Sequence, residues 1–215
     1  MKIHVQPFTF NPFQENTYVL YTDHADAVIV DPGCYERHEE QDLIEFIAEK
    51  GLKIHALLNT HAHIDHVLGN QFVVEKFKVP FYLHPMDEPT LNAVSNYSHV
   101  YGFSNYKVSP QPTNQLTHGD KLQFGTLELD VLFTPGHAPG HVVFYNKENN
   151  FVINGDVLFN GSFGRVDLPG GDIEILKKSI YEIMFKLPEE TEVYCGHGPK
   201  TTIAKEKATN YIYNF

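Results

Sequence analysis

Thr60-His61-Ala62-His63-Ile64-Asp65-His66 crowds three imidazoles and a carboxylate into one short segment, directly after the apolar run Ile54–Leu58. Neutral imidazole and carboxylate are the ligand types that zinc and iron prefer, so the segment reads as a metal-binding loop at the end of a strand. That placement constrains the fold more than any other feature. A loop leaving a strand converges its side chains on one sheet edge, and any further donors must reach that edge from distant parts of the chain. Three later segments have the form required: His137 in Thr134-Pro135-Gly136-His137, Asp156 in Asn154-Gly155-Asp156, and His197 in Cys195-Gly196-His197-Gly198-Pro199. Singly, a histidine or aspartate beside glycine is ordinary turn chemistry. Here each follows an apolar strand-like run, and each has a glycine that permits close backbone approach, so the pattern extends over nearly the whole chain.

Short apolar runs at Ile3–Phe8, Thr17–Tyr21 and Ala27–Val30 predict a first sheet, with Asp31-Pro32-Gly33 as the turn after the last. Leu43, Ile44, Ile47 and Ala48 recur at helical spacing between Glu39 and Lys50, and Gly51 is a plausible stop. A strand at Ile54–Leu58, a helix at Gln71–Phe77 and a strand at Pro80–His84 complete the first half. Lys121–Phe124, Leu127–Phe133, His141–Tyr145 and Phe151–Ile153 predict a second sheet. Ile173, Leu176, Ile180, Ile183, Met184 and Leu187 then trace a helical face behind Asp172 as N-cap. Val193–Cys195 is a last strand and Thr201–Tyr213 a last helix. Sheet and helix twice over favour an α+β chain in four layers, an αβ/βα sandwich, in a single domain over residues 1–215. The irregular stretch 96–114 carries Tyr97, Tyr101, Phe103 and Tyr106, and a loop of that length is either a lid or binding wall or a packed surface loop.

Composition argues against several other classes. A formal net charge of −11 gives no broad attraction to nucleic acid, and no apolar run is long enough to cross a bilayer. Met1–Phe13 has no basic stretch followed by an apolar one, and Cys34 and Cys195 are too few and too far apart for a disulfide framework or a CxxC site. These features predict a cytoplasmic protein acting on a small molecule, with no nucleic-acid or membrane partner; they leave the oligomeric state open. Arg165, between Gly164 and Val166, is a candidate to bind a substrate carboxylate bidentately, or else to pair with Asp167 or Asp172. His141 reads either as a donor behind the metal ligands or as a packed strand histidine, and Cys195 as a small buried residue ending a strand.

The ordered set His-x-His-x-Asp-His, Gly-His, Gly-Asp and Gly-His resembles that of the metallo-β-lactamase-fold hydrolases. Asn11-Pro12-Phe13-Gln14-Glu15-Asn16, Asp31-Pro32-Gly33 and the run from Gly161 to Asp172 are further similar to the short glyoxalase II-like, or hydroxyacylglutathione hydrolase-like, branch. The resemblance implies the metallo-β-lactamase type of αβ/βα sandwich and two divalent metal ions, zinc foremost, with iron or manganese as alternatives. It assigns His61, His63 and His137 to one metal, Asp65, His66 and His197 to the other, and Asp156 as the bridge. Asp65 and Asp156 are then the catalytic carboxylates beside an activated water. Three protein ligands per metal plus a shared aspartate leave positions open for solvent, as in a catalytic rather than a structural site. Two such cations, about 3.5–4 Å apart, bring the pKa of bound water toward ~7.

A thiolate leaving group needs little help from a general acid, so the resemblance implies hydrolysis of small thioesters, hydroxyacyl thioesters foremost, or of similar esters. Persulfide dioxygenases share the fold and use one iron held at positions matching His61, His137 and Asp156, a 2-His-1-carboxylate set. They are the alternative reading, ahead of a phosphodiesterase or nuclease. His63 stands where flavodiiron proteins carry glutamate, and Asp156 is a carboxylate that the secreted β-lactamases lack. Phe215 follows soon after His197, whereas full-length glyoxalase II enzymes continue into a helical C-terminal domain that supplies much of the glutathione site. No such substrate domain is expected here.

Overall fold

Two apolar runs separated by Asn11-Pro12-Phe13-Gln14 pair as β1 (Ile3–Phe10) and β2 (Glu15–Thr22), an antiparallel hairpin whose turn places Asn11 and Gln14 in left-handed backbone. The computed structural model describes residues 1–215, and the chain divides into two compact units. Met1–Gln115 with Gln123–Leu127 forms the first, and Leu116–Leu122 with Glu128–Phe215 the second. In the first unit β3 (Asp26–Val30) adds antiparallel to β2. The amphipathic α1 (Arg37–Lys50) then crosses to β4 (Lys53–Leu58), which pairs parallel with β3. Gly51 ends α1 as expected, at φ 63°, with its N–H on the carbonyls of Ile47 and Ala48. The short α2 (Ile64–Val67) and α3 (Asn70–Phe77) lead to β5 (Phe81–Leu83), and α4 (Glu88–Tyr97) to β6 (Asn114–Gln115). The sheet runs in the order β1-β2-β3-β4-β5-β6. Its core joins Val19, Ile29, Leu57 and Phe81 of the strands to Leu43 and Val73 of the helices.

The second unit is built on β7 (Lys121–Phe124), β8 (Leu127–Phe133), β9 (Val142–Asn146) and β10 (Phe151–Gly155). A small hairpin of β11 (Leu158–Phe159) and β12 (Ser162–Phe163) follows, then α5 (Ile173–Glu182), β13 (Glu192–Cys195), β14 (Thr201–Thr202) and α6 (Ile203–Thr209). Its sheet has the order β14-β13-β10-β9-β8-β7, with β13 parallel to β10. Asp172 caps α5 as the sequence predicts, its Oδ1 accepting the N–H groups of Glu174 and Ile175. Leu176, Ile180 and Met184 pack with Val143, Val152 and Val193 in the core. Cys34 and Cys195 are both free and buried, and no helix is long and apolar enough to cross a membrane.

The α+β class follows the sequence reading, while several elements depart from it. The helix α4 escapes hydrophobic periodicity because Pro85 and Pro89 punctuate its approach, yet proline fits the first turn of a helix, where its missing N–H is not needed. Part of the loop expected at 60–66 is helical, since α2 begins at Ile64. The helix expected over Thr201–Tyr213 breaks at Asn210, which is extended, accepts from the Ile212 N–H and donates its Nδ2–H to Ser162 O at 2.7 Å. The stretch 96–114 is anchored: Tyr35 Oη accepts the Asn105 N–H, Tyr106 Oη accepts the Ser109 N–H, and Asn70 Nδ2 donates to Ser109 Oγ.

One carboxylate gives the first unit a pH-dependent tie. Asp26 of β3 accepts the backbone N–H and the hydroxyl of Thr126, each at 2.8 Å, and the Nε2–H of His55 at 2.7 Å. The Thr126 N–H, then its hydroxyl, then His55 lower the Asp26 carboxyl to about 2. With a folded-state value below the usual ~4, the contribution is fully present above about pH 4 and is lost as pH falls toward about 2. Asp26→Ala is expected to lower the unfolding free energy by about 1–2 kcal/mol at neutral pH. Urea unfolding measured down to acid pH should also show a shallower acid loss in the variant than in the wild type.

Candidate metal centre

Parallel strands deliver their C-terminal ends side by side, and in the first unit β3 and β4 present Asp31 and the Thr60–His66 segment at one sheet edge. Asp31 takes left-handed backbone, φ 48°, and its N–H bonds to Leu58 O at 3.0 Å. Its buried carboxylate organises the loop. Oδ1 accepts the Thr60 N–H at 2.7 Å and an Asn59 Nδ2–H at 3.2 Å, and Oδ2 accepts the Thr60 hydroxyl. Because the single Thr60 hydroxyl proton points at Asp31, the Thr60 oxygen accepts from His61 Nδ1–H, 3.0 Å away. His66 Nδ1 lies 3.2 Å from Asp31 Oδ2, and since a carboxylate only accepts, Nδ1 carries the proton there too. Both rings therefore keep Nε2 as the lone-pair atom available to a metal.

The other expected ligands of this unit lie close by. Ring centroids of His61 and His63 are 4.8 Å apart and those of His61 and His66 4.2 Å, and His66 Nε2 lies 3.7 Å from Asp65 Oδ2. Asp87, buried ahead of α4, accepts the Ala62 N–H at 2.7 Å and so clamps the loop between His61 and His63. Glu15 is fully buried with Oε1 3.8 Å from His66 Nδ1, and burial pushes its carboxyl well above the usual range. Gly33 touches this cluster, for a Cβ there would meet Glu15 Oε2 at 2.1 Å and Asp65 O at 2.6 Å.

In the second unit β10 and β13 end together, with the Gly196 N–H on Gly155 O at 2.7 Å, which sets Asp156 beside His197. Asp156 Oδ2 lies 3.5 Å from Nε2 of His137 and 3.5 Å from Nε2 of His197. His137 Nδ1–H donates to Arg165 O at 2.7 Å, so in the neutral ring its Nε2 lone pair faces the carboxylate. Acceptor atoms converging in this way fit a shared cation, and in the first unit the donor set and its tautomers fit one equally well. Gly164 cannot be replaced without movement, because a Cβ would lie 1.9 Å from Asp156 O.

Residues 10–197 match the family model described as the metallo-beta-lactamase superfamily. The chain belongs to that superfamily. Over its full length it is 33% identical to the hydroxyacylglutathione hydrolase GloC of Haemophilus influenzae, covering 99% of that protein. Among solved structures, BLEG-1, described as a B3 metallo-beta-lactamase, superposes with a TM-score of 0.89 at 37% identity, covering 99% of this chain and 100% of that one. TTHA1623 in a di-iron-bound form gives a TM-score of 0.86 at 41% identity, covering 96% of this chain and 99% of that one. This superfamily member thus has the metallo-beta-lactamase fold and His/Asp clusters suited to metal, and it is related to hydrolases.

Sequence reasoning located the histidines and aspartates of both clusters but not their supports. In the sequence Asp31 reads only as a turn residue near Gly33, Thr60 only as the first residue of the histidine loop and Glu15 only as part of the Asn11–Asn16 run, while Asp87 carries no signal. Arg165 is exposed, and its guanidinium is bidentate to Asp167, Nε to Oδ1 at 2.6 Å and Nη2 to Oδ2 at 2.7 Å. Arg165 first of all lowers the Asp167 carboxyl, to about 2. Cys195 ends β13 as a buried residue, and burial pushes its thiol up to about 12, which leaves it protonated at neutral pH.

His141 resolves in favour of a supporting role. Fully buried, it accepts the Asp156 N–H on Nε2 at 3.1 Å, and its Nδ1 lies 3.2 Å from Thr134 Oγ1. An Nε2 that accepts is unprotonated, so Nδ1–H donates to Thr134. His141→Leu removes the acceptor at similar bulk, whereas His141→Gln retains one. Loss of such outer partners typically weakens metal binding about tenfold to a hundredfold. Zinc titration against a competing chelator should show that loss in the Leu variant and a smaller one in the Gln variant.

Proposed function

We propose that this protein is a dinuclear metal-dependent hydrolase of small thioesters, hydroxyacyl thioesters foremost. The observation that carries the reading is the pair of donor clusters whose imidazole tautomers are held by Asp31, Thr60 and Arg165 O, in a chain that aligns end to end with a hydroxyacylglutathione hydrolase. In this reading His61, His63 and His137 hold one cation, Asp65, His66 and His197 the other, and Asp156 is shared. Zinc is the favoured metal, and the di-iron neighbour makes iron the first alternative. When bound, such cations supply Lewis acidity and bring water toward a pKa of ~7.

The protein's own part is positional. Asp31, through Thr60 and directly, keeps the Nε2 atoms of His61 and His66 turned away from its own carboxylate, and His141 fixes the backbone that carries Asp156. Asp65 and Asp156 supply the anionic charge that offsets the cations. Water adds its oxygen to the acyl carbon and its protons pass to solvent, and the C–S bond breaks with its electron pair on sulfur, giving carboxylate and thiolate. Thiols have pKa values of about 8.5, so the thiolate departs without a dedicated proton donor. Arg165 binds a carboxylate on the thiol portion, which takes the place that Asp167 holds in the free protein.

Purified, fully loaded protein is expected to contain two metal equivalents per chain by elemental analysis and to hydrolyse a lactoyl thioester, with a β-lactam as the control substrate. One iron per chain in active protein, with no second site, would replace the hydrolase by the mononuclear dioxygenase. Asp156→Ala should lose metal together with turnover; full metal content and near-normal turnover in that variant would remove Asp156 as the shared ligand.

Arg165 is tested by substrate charge. Hydrogen bonds to charged groups are worth enough that Arg165→Ala should lower kcat/KM for a thioester with an acidic thiol by roughly tenfold to a hundredfold. A thioester of a neutral thiol should change far less at equal metal content. Equal losses on both would assign Arg165 to supporting the loop through Asp167.

A further inference from the structure

A line of buried polar side chains runs from the ligand loop to the stretch 96–114. Asn59 and Asn70 are fully buried, and Asp31 and Ser109 nearly so. Asn59 Nδ2 donates to Asp31 Oδ1 at 3.2 Å and to His66 O at 3.0 Å. Asn70, the first residue of α3, donates from Nδ2 to Asn59 Oδ1 at 2.8 Å and to Ser109 Oγ at 2.9 Å.

The direction of these bonds is set at the His66 end. A carboxylate and a carbonyl only accept, so the amide nitrogen of Asn59 faces Asp31 and His66, and its oxygen faces Asn70. Asn70 must then turn its own nitrogen toward Asn59, and both of its amide hydrogens are used within the line. Its Oδ1 is left buried with no hydrogen-bond partner. A leucine of similar size would fill the same space without that penalty, so packing does not account for an amide at position 70, whereas the two donated bonds do. At the ligand end the line holds one residue twice: the carbonyl of His66 takes Asn59, and its Nδ1 lies 3.2 Å from Asp31 Oδ2. At the other end the Ser109 N–H bonds to Tyr106 Oη at 3.1 Å, and Tyr106 packs against the core of the unit.

We propose that Asn59, Asn70 and Ser109 are positioning residues for His66, which make the stretch 96–114 part of the frame of the metal centre, so that a cation bound at His66 also tightens that stretch. The proposal rests on the reading of His66 as a metal ligand and not on the reaction assigned above. Both the backbone and the ring of His66 are referred to Asp31 and Asn59, and Asn59 is in turn held from Ser109 through Asn70. A ligand that binds only the closed arrangement stabilises it against local opening, and the opening suppressed here includes the Asn70–Ser109 bond.

The test uses full-length protein with zinc alone as the probe and the variants Asn70→Leu, which keeps bulk and removes both donors, and Ser109→Ala, which removes the acceptor at the end of the line. Val94→Ala, a buried change on α4 away from these bonds, is the control for lost stability alone. Zinc affinity is measured against a competing chelator, and amide hydrogen exchange over 96–114 is followed with and without zinc. In the wild type zinc should slow exchange in that stretch. Asn70→Leu should weaken one zinc equivalent by roughly tenfold to a hundredfold and abolish the slowing, with Ser109→Ala showing the same changes to a smaller degree. Val94→Ala should lower the thermal midpoint and leave zinc affinity and the slowing in place. Should Asn70→Leu not fold, Ser109→Ala reads the same link. Zinc affinity unchanged in the folded variants of the line, an equal loss in Val94→Ala, or exchange in 96–114 that zinc does not alter in the wild type overturns the proposal. If a single equivalent binds and these variants weaken it, the line of bonds stands and the dinuclear reading falls.

Discussion

Asp31 is the residue on which the histidine loop depends. A buried carboxylate is costly unless every lone pair has a donor, and here the donors are the Thr60 N–H and hydroxyl, Asn59 Nδ2 and His66 Nδ1. Satisfying that charge ties the loop after β4 to the end of β3 and sets which nitrogen of each ring carries the proton. His61 and His66 could each adopt either tautomer in solution. Within this network only one leaves both Nε2 atoms as lone-pair donors, so preorganisation for a cation is a by-product of burying an aspartate properly.

The second unit solves the same problem with different groups. His137 donates Nδ1–H to a backbone carbonyl, that of Arg165, and Asp156 is steadied through its N–H by His141. Backbone acceptors cannot titrate and tolerate changes of side chain. His137 is thus held by the backbone of residue 165, while the side chain of Arg165 pairs with Asp167. The close fit at Gly164 follows directly, since the chain between Asp156 and Arg165 folds back against the aspartate's own carbonyl.

In the proposed reading, recognition of an anionic substrate falls to a local cation. A chain of formal charge −11 repels anions at long range, so binding an anionic substrate needs a local cation, and Arg165 is available to the extent that its partner Asp167 is exchangeable. That pair is highly exposed, where an ion pair is worth little and is easily displaced.

Much of the chemistry was legible in the linear chain, because donor identity is a local property: His61, His63, Asp65, His66, His137, Asp156 and His197 are visible as residue types at strand ends, and β-strand and α1 periodicity places those ends. Helix α4 was not legible, since prolines at its start masked the pattern, nor was the break at Asn210, which depends on a bond to Ser162 far away in the chain. The supporting residues were invisible for the same reason. Asp31 reads as a turn aspartate until β3 and β4 lie parallel and bring it under Thr60 and His66. The sequence by itself determined the candidate donors, the two sheets and the α+β class. The tertiary structure alone decided the tautomers, the role of His141, the engagement of Arg165 with Asp167 and the packing of 96–114, because each of these is a contact made only when the chain has folded.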